Sequence, residues 1–484
     1  MHDHVGITPT SVSVIGISKP FSCFQYVEEH YYGSAVVGRC FSLARSHGAR
    51  TLVVESIQGS GIILQENEEI LDLYPGYVQG SLKRISFWSS HFQSSSDIDS
   101  QADADLIGYA ILKYDTVSRI KVDGWHVFES VIKKYDHSHN CIPNQGLYTI
   151  RVCEKSFHVM GVLYCQQNSL NKACAHVALR SLLSRIRPDD PISYFDFNTI
   201  ARKLSHSKWV PSTGLTPIQI RAILDHYSVR YKDIDYEAEE KKNKDVRRDL
   251  PYRRFLYAAI ESGYGGLLGF SMSGPKAVDS KHILPFYGHT FNKDTWVPDA
   301  EKFYFNIGAE LRCIPSENWT SSFIGHDDNF GSNFCVPRLY ISPDRVQYVV
   351  ELLKGAAEYD GVKAEVLALY FLYSFQSALN QSLTWVRRLL GSLQRVVLRT
   401  VCVTREKYIK HLSEIKDWSD VKEDSAITKT LEHLTSNLFW VIEVSIPQLY
   451  PANERKIGEI VLDAEHKIEI TPEAHVDNNC FILA

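Results

Sequence analysis

Tyr164-Cys165-Gln166-Gln167-Asn168-Ser169-Leu170-Asn171-Lys172-Ala173-Cys174-Ala175-His176-Val177-Ala178-Leu179 is the stretch on which the reading of this chain turns. A short apolar run, Val159 to Tyr164, leads into a polar loop, and the loop ends at a cysteine that opens a helical pattern continuing through Leu182. A cysteine at a helix start sits at the positive end of the helix dipole, which favours thiolate over thiol. Val177, Leu179, Leu182 and Leu183 give that helix an apolar side to bury. Gln167 lies seven residues before Cys174, close enough to lend an amide donor to the same site. More than a hundred residues later come Lys281-His282-Ile283-Leu284-Pro285-Phe286-Tyr287-Gly288-His289-Thr290 and Trp296-Val297-Pro298-Asp299-Ala300. Cysteine, histidine and carboxylate in that order are what a thiol nucleophile needs.

Each candidate has a plainer alternative. Most cysteines in a reduced chain are packing residues, and only context sets Cys174 apart. Cys165, before the loop at a strand end, is expected to be structural. His282 begins a strand and is preferred as the base that takes the thiol proton and returns it to the leaving group. His289 follows Gly288 in an apparent turn, and His176 lies two residues along the cysteine's own helix, pointing to another face. Asp299, seventeen residues after His282, would return beside the histidine if one strand runs out and the next runs back. Asn292 and Asp294 lie in the intervening turn. A small residue after the cysteine leaves room for substrate near its backbone N–H, which with the Gln167 amide would form an oxyanion hole.

The rest of the sequence bounds the answer. The chain has 484 residues, net charge −5, 44% hydrophobic and 23% charged residues, which suits two or three ordinary globular domains and argues against bulk nucleic-acid or membrane-surface binding. Its ten cysteines include no CxxC pair, which excludes the common zinc-ribbon spacings and reads as reduced thiols. With no apolar run long enough for a bilayer and no visible secretory signal, a soluble cytoplasmic protein is expected. Residues 1–155 read as a β-rich domain without a catalytic constellation, with residues 62–64 as an apolar strand-like run and the polar stretch 94–105 as a mobile loop. Residues 156–315 change to helices followed by an antiparallel sheet, the α+β plan. Residues 316–484 open with a loop at 325–333. Helical patterns follow at 342–358, 362–380, 382–400, 404–415 and 424–437, and strands return at 438–444, 458–463 and 467–470.

The middle segment resembles the papain-like cysteine peptidases, and more closely their bacteriocin-processing (peptidase C39-like) branch. In that branch a glutamine and a short loop precede Cys-Gly or Cys-Ala at a helix start, a later strand begins with histidine, and the next strand carries aspartate or asparagine. The matching positions here are Gln167, Cys174-Ala175, His282 and Asp299. The resemblance implies a helical lobe against an antiparallel sheet, a triad of Cys174, His282 and Asp299, and Gln167 in the oxyanion hole. Two departures stand out: the usual glutamine position, six before the cysteine, holds Asn168, and the residue after the cysteine is alanine rather than glycine. Phrases such as Ile260-Glu261-Ser262-Gly263 and Phe439-Trp440-Val441-Ile442-Glu443 look like a bacterial multi-domain group with flanking domains of this kind, which implies no substrate.

The leading expectation is a cytosolic peptidase cleaving a peptide or isopeptide bond through a thioester, without cofactor or metal. Its partner is a protein or peptide substrate, with the flanking domains available to a regulatory partner and with no nucleic acid or membrane. The alternatives are glutamine deamidation or transglutamination on the same triad, and a non-enzymatic scaffold of degenerate papain-like fold. A metal hydrolase built on Asp136-His137-Ser138-His139 lacks a third ligand at recognisable spacing.

Overall fold

The computed structural model describes residues 9–134, 140–188, 190–205, 209–242, 252–271, 281–292, 312–342, 344–378, 395–414, 432, 434–450, 456–468 and 480–483. It is an α+β protein built on three larger sheets. The first sheet is an antiparallel meander of β1 (Ser11–Gly16), β2 (Thr51–Ser56), β3 (Val78–Trp88), β4 (Leu106–Val117) and β5 (Val122–Ile132). Three helices interrupt it: α1 (Cys23–Tyr31), α2 (Ala35–Ser46) and α3 (Ile62–Leu73). Ser22 starts α1 by accepting the Gln25 N–H at 3.2 Å, an ordinary N-cap.

Both faces of its inner part are covered, so β4, the end of β3 and the end of β5 are buried almost throughout, whereas the edge strand β1 alternates between exposed and half-buried residues. Leu52, Ile85, Phe87 and Leu112 pack with α1 and α2, while Val53, Trp88, Ile111 and Phe128 enter a second core. The run 62–64, expected as strand-like, is the first turn of α3. Its inward face holds Glu66 and Glu69 beside Ile63 and Ile70, so the apolar stripe that betrays a helix is broken by carboxylates. The stretch 94–105, expected as a mobile loop, folds into two 3₁₀ turns around the buried Ile98.

Next come β6 (Asn140–Cys141), the hairpin β7 (Gly146–Val152) and β8 (Lys155–Gly161), then α4 (Cys174–Ile186), α5 (Tyr194–Lys203) and α6 (Pro217–His226). After β9 (Tyr231–Asp235), α7 (Tyr236–Lys242) and α8 (Tyr252–Glu261) the chain lays down β10 (Gly266–Ser271), β11 (Lys281–Phe291), β12 (Arg312–Pro315), β13 (Thr320–Asp327), β14 (Gly331–Pro337) and β15 (Val346–Leu352). The central sheet has the order β14-β13-β11-β10-β15-β9, with β6 also on β11. It draws β13, β14 and β15 from beyond residue 315. α4 packs on the face showing Leu267, Ile283 and Val350, and α8 on the face showing Leu268, Leu284 and Phe286. The core around α4 is continuous with the inner face of the first sheet, so the segments 1–155 and 156–315 share one interior.

The third sheet runs β12-β16-β17-β18-β19, from β16 (Arg395–Thr404), β17 (Leu438–Ser445), β18 (Gly458–Asp463) and β19 (Cys480–Leu483), with α9 (Gly361–Ala378) and α10 (Arg405–Glu414). Two expected helices are corrected here. Within 342–358 the chain forms β15, and the end of 382–400 forms β16; both are runs rich in Val and Leu whose burial in a sheet overrides helical spacing. Residues 382–394, most of 424–437 and 469–470 lie outside the described residues. No helix among the described residues is long and apolar enough to cross a membrane.

Candidate active site

The polar loop before Cys174 is held from all sides. Gln166 is tied to β5: its N–H donates to the Val127 carbonyl at 3.0 Å and its side-chain oxygen accepts the Val127 N–H at 2.9 Å. Asn168 Oδ1 accepts the N–H groups of Leu170, Asn171 and Lys172 at 2.9, 3.2 and 3.3 Å, and its amide donates to Asn171 Oδ1 at 2.9 Å. Asn168 is therefore the loop's internal staple, and its amide is committed there. Lys172 and Lys113 both donate to the buried Glu66, at 2.8 and 2.9 Å, and burial of this carboxylate is outweighed by the two ammonium groups, which hold its pKa well below the usual range. Asn171 and Asn198 both donate to Glu69 Oε2, at 3.0 and 2.9 Å. Helix α3 thus grips the loop through two carboxylates.

α4 begins at Cys174, with Ala173 as N-cap. Alanine has no capping oxygen, so only the reciprocal half of a capping box is made, by His176. Its Nδ1 accepts the Ala173 N–H at 3.2 Å, which makes Nε2 the donor to Asn198 Oδ1 at 2.9 Å. Burial pushes the His176 pKa down to about 4, consistent with a neutral ring in this acceptor–donor role. Cys174 is half-buried at the first helical position, where backbone N–H groups have no acceptor within the helix.

β11 brings His282 to the thiol. Its Nε2 lies 3.0 Å from Asp328 Oδ1 and 3.6 Å from Asp327 Oδ2, ion-pair distances without the alignment of a good hydrogen bond. Burial alone would depress its pKa, but the contacts with Asp327, Asp328 and Cys174 outweigh that and push it up to about 12. With Nε2 facing the carboxylates, Nδ1 is the nitrogen left to face the sulfur. Asp327 also accepts the Asn329 and Phe330 N–H groups at 2.8 and 3.1 Å, which fixes the turn between β13 and β14. Asp328 is the closer partner of His282. β13 reaches the right height because Gly325 lets it lie close to β11: a Cβ there would sit 2.4 Å from the Pro285 carbonyl.

Gln167 stands at the rim of this arrangement. Its amide donates to Asn329 Oδ1 at 3.3 Å, and Asn329 Nδ2 donates to Asp328 Oδ1 at 3.4 Å. A polar chain therefore runs from the loop through the hairpin tip to the imidazole. Beneath the sulfur a cavity of ≈10 Å³, room for about one water, is lined by Cys165, Cys174, Ala178, Pro285, His326 and Asp328 among others. Cys165 is buried with an Arg180 N–H 3.3 Å from its sulfur, and burial raises its pKa.

Of the residues singled out in the sequence, Cys174, His282 and Gln167 come together. Asp299, with Asp294, lies outside the described residues, as do Asp136, His137, Ser138 and His139. The carboxylates that stand at His282 are Asp328 and Asp327, which the sequence reading placed in a plain loop. Their signal was present: Phe323-Ile324 and Phe334-Cys335-Val336 flank Asp327-Asp328-Asn329-Phe330-Gly331, a hairpin turn between two apolar segments.

His282, Asp327 and Asp328 also have the donor types of a cation site, as do Glu66, Asp115 and His126. At the latter, the Lys113 ammonium lies 2.9 Å from Glu66 and 3.3 Å from Asp115, where a metal would otherwise sit. Compared with known proteins, the chain matches no protein-family model, no curated protein and no solved structure.

Proposed function

We propose that the protein is a papain-like thiol hydrolase that cleaves a peptide or isopeptide bond. The observation that carries this reading is a half-buried cysteine at a helix start beside an imidazole whose other nitrogen faces a buried carboxylate. In this reading Cys174 attacks the scissile carbonyl. The thiol gives its proton to His282 as it attacks, and Asp328 stabilises the imidazolium that forms. Acylation removes the thiolate from the imidazolium's surroundings, which lowers the ring's hold on its proton at the moment the leaving amine needs it. Water then enters, His282 takes its proton, and the thioester is hydrolysed.

Asp328 takes the orienting role that the sequence gave to Asp299. The Cys174 N–H is the first oxyanion donor. Gln167 becomes the second by releasing Asn329 and turning inward. The substrate is a protein or peptide, and the nine cysteines found as free thiols fit work in the reducing cytosol.

The test compares the N-termini of a cytosolic extract after incubation with the native chain or with Cys174→Ala, in the presence of a primary-amine donor. New N-termini confined to the native chain support hydrolysis. Amine incorporation or glutamine deamidation without cleavage would move the reading to acyl transfer. No covalent change in either sample would leave only a scaffold.

A further inference from the structure

A second cluster of ligand-type side chains lies on the same strand as His282. Cys141 on β6 stands opposite His289 on β11, and Glu261, the last residue of α8, reaches the same place. His289 Nε2 is 2.5 Å from Glu261 Oε1, and Cys141 Sγ is 3.9 Å from that oxygen. The donor atoms of all three residues lie within 4.8 Å of one another. Arg399 on β16 holds the other Glu261 oxygen at 2.5 Å and pairs with Glu443 at 2.8 Å. His289 and Glu261 are buried, whereas Cys141 is half-buried, so the cluster opens to solvent on the sulfur side. Nδ1 of His289, also buried, has no hydrogen-bond partner among the described residues.

We propose that Cys141, Glu261 and His289 bind one zinc ion, with water in the fourth position. One thiolate, one imidazole and one carboxylate suit this borderline-soft cation, whereas calcium and magnesium take oxygen donors. Tetrahedral bonds of about 2.0–2.3 Å place neighbouring donors roughly 3.3–3.8 Å apart. The sulfur and the carboxylate are already near that separation. The imidazole and carboxylate must part by about 1 Å, within reach of side-chain rotation.

Arg399 acts as the outer partner that fixes the ligating carboxylate. Zinc with one thiolate and one carboxylate is neutral, and Arg399 with Glu443 is neutral, so the ion leaves no uncompensated charge. Binding forms a Zn–S bond and releases the Cys141 thiol proton, together with any proton shared between His289 and Glu261. The ion would join β6, β11 and α8, and through Arg399 the third sheet, as a brace rather than as part of the thiol chemistry.

The test strips the full-length chain with chelator and titrates it with cobalt(II) chloride, whose thiolate complexes absorb in the near ultraviolet. One equivalent of cobalt should produce that charge-transfer band, Cys141→Ser should abolish it, and Cys174→Ser should retain it. No band at near-stoichiometric cobalt, or a band that follows Cys174 instead, overturns the site. The native chain gives a second reading that does not depend on the folding of Cys141→Ser. One equivalent of zinc chloride should slow iodoacetamide labelling of Cys141 at least tenfold and leave Cys335 unchanged; equal labelling with and without zinc overturns the proposal.

Discussion

At the scale of single residues, the site depends on how His282 is surrounded. Its pKa in the folded chain is raised to about 12 from an ordinary 6.5. The charged ring therefore contributes stability in full below about pH 6.5, and that contribution is lost as pH rises toward 12. Asp328→Asn removes the nearer carboxylate, 3.0 Å away. Urea unfolding should show a destabilisation by this substitution that is largest near pH 6 and shrinks toward pH 10. A difference that stays constant with pH would mean that the ion pair is not what the carboxylate supplies. The meeting of Cys174 and His282 was legible in the sequence because a cysteine at a helix start and a histidine at a strand start are local patterns. The approach of Asp327 and Asp328 to that histidine was not, because it depends on which strand lies beside β11, and that is a matter of sheet order.

At the scale of elements, the polar loop before Cys174 is an object built by its neighbours. α3 supplies Glu66 and Glu69, α5 supplies Asn198, and β5 holds Gln166. Glu66 lies between two buried ammonium groups, and Glu66→Gln would leave both without their counter-charge. Breaking such a buried arrangement costs roughly 3–5 kcal/mol, which denaturant unfolding at neutral pH would register. The Glu66 pKa is lowered by Lys113 and Lys172, so its contribution is present above about pH 4.5 and fades as pH falls through the lower folded value. A loss under 1 kcal/mol would show that the lysines find other partners. Helix α3 escaped the sequence reading for the reason that makes it useful: its inward face is acidic, and no amphipathic pattern announces a helix that buries carboxylates. α4 and α9 were legible from their length and their content of Ala and Leu, although both are buried on almost every side and enclose polar residues such as His176, Arg180 and Glu365. β15 and β16 were not, because apolar runs buried on both faces look alike in helix and strand.

At the scale of the whole molecule, the α+β class was legible, while the borders between its parts were not. The inner face of the first sheet and α4 enclose one core, and the central sheet continues past residue 315 to β15. Composition changes along the chain, and so suggests breaks, but packing joins segments by the faces they share. The site itself is a product of this long-range assembly: its thiol comes from α4, its imidazole from β11 and its carboxylates from the turn after β13. The most direct test of that assembly is the rate at which iodoacetamide labels Cys174 near neutral pH, read site by site by mass spectrometry against the exposed Cys335 of the same chain. The account predicts that Cys174 reacts at least tenfold faster than Cys335 in the native chain, and that His282→Ala or Asp328→Asn removes most of that advantage while the labelling of Cys335 is unchanged. Equal rates at the two cysteines, or a fast Cys174 indifferent to both substitutions, would contradict it.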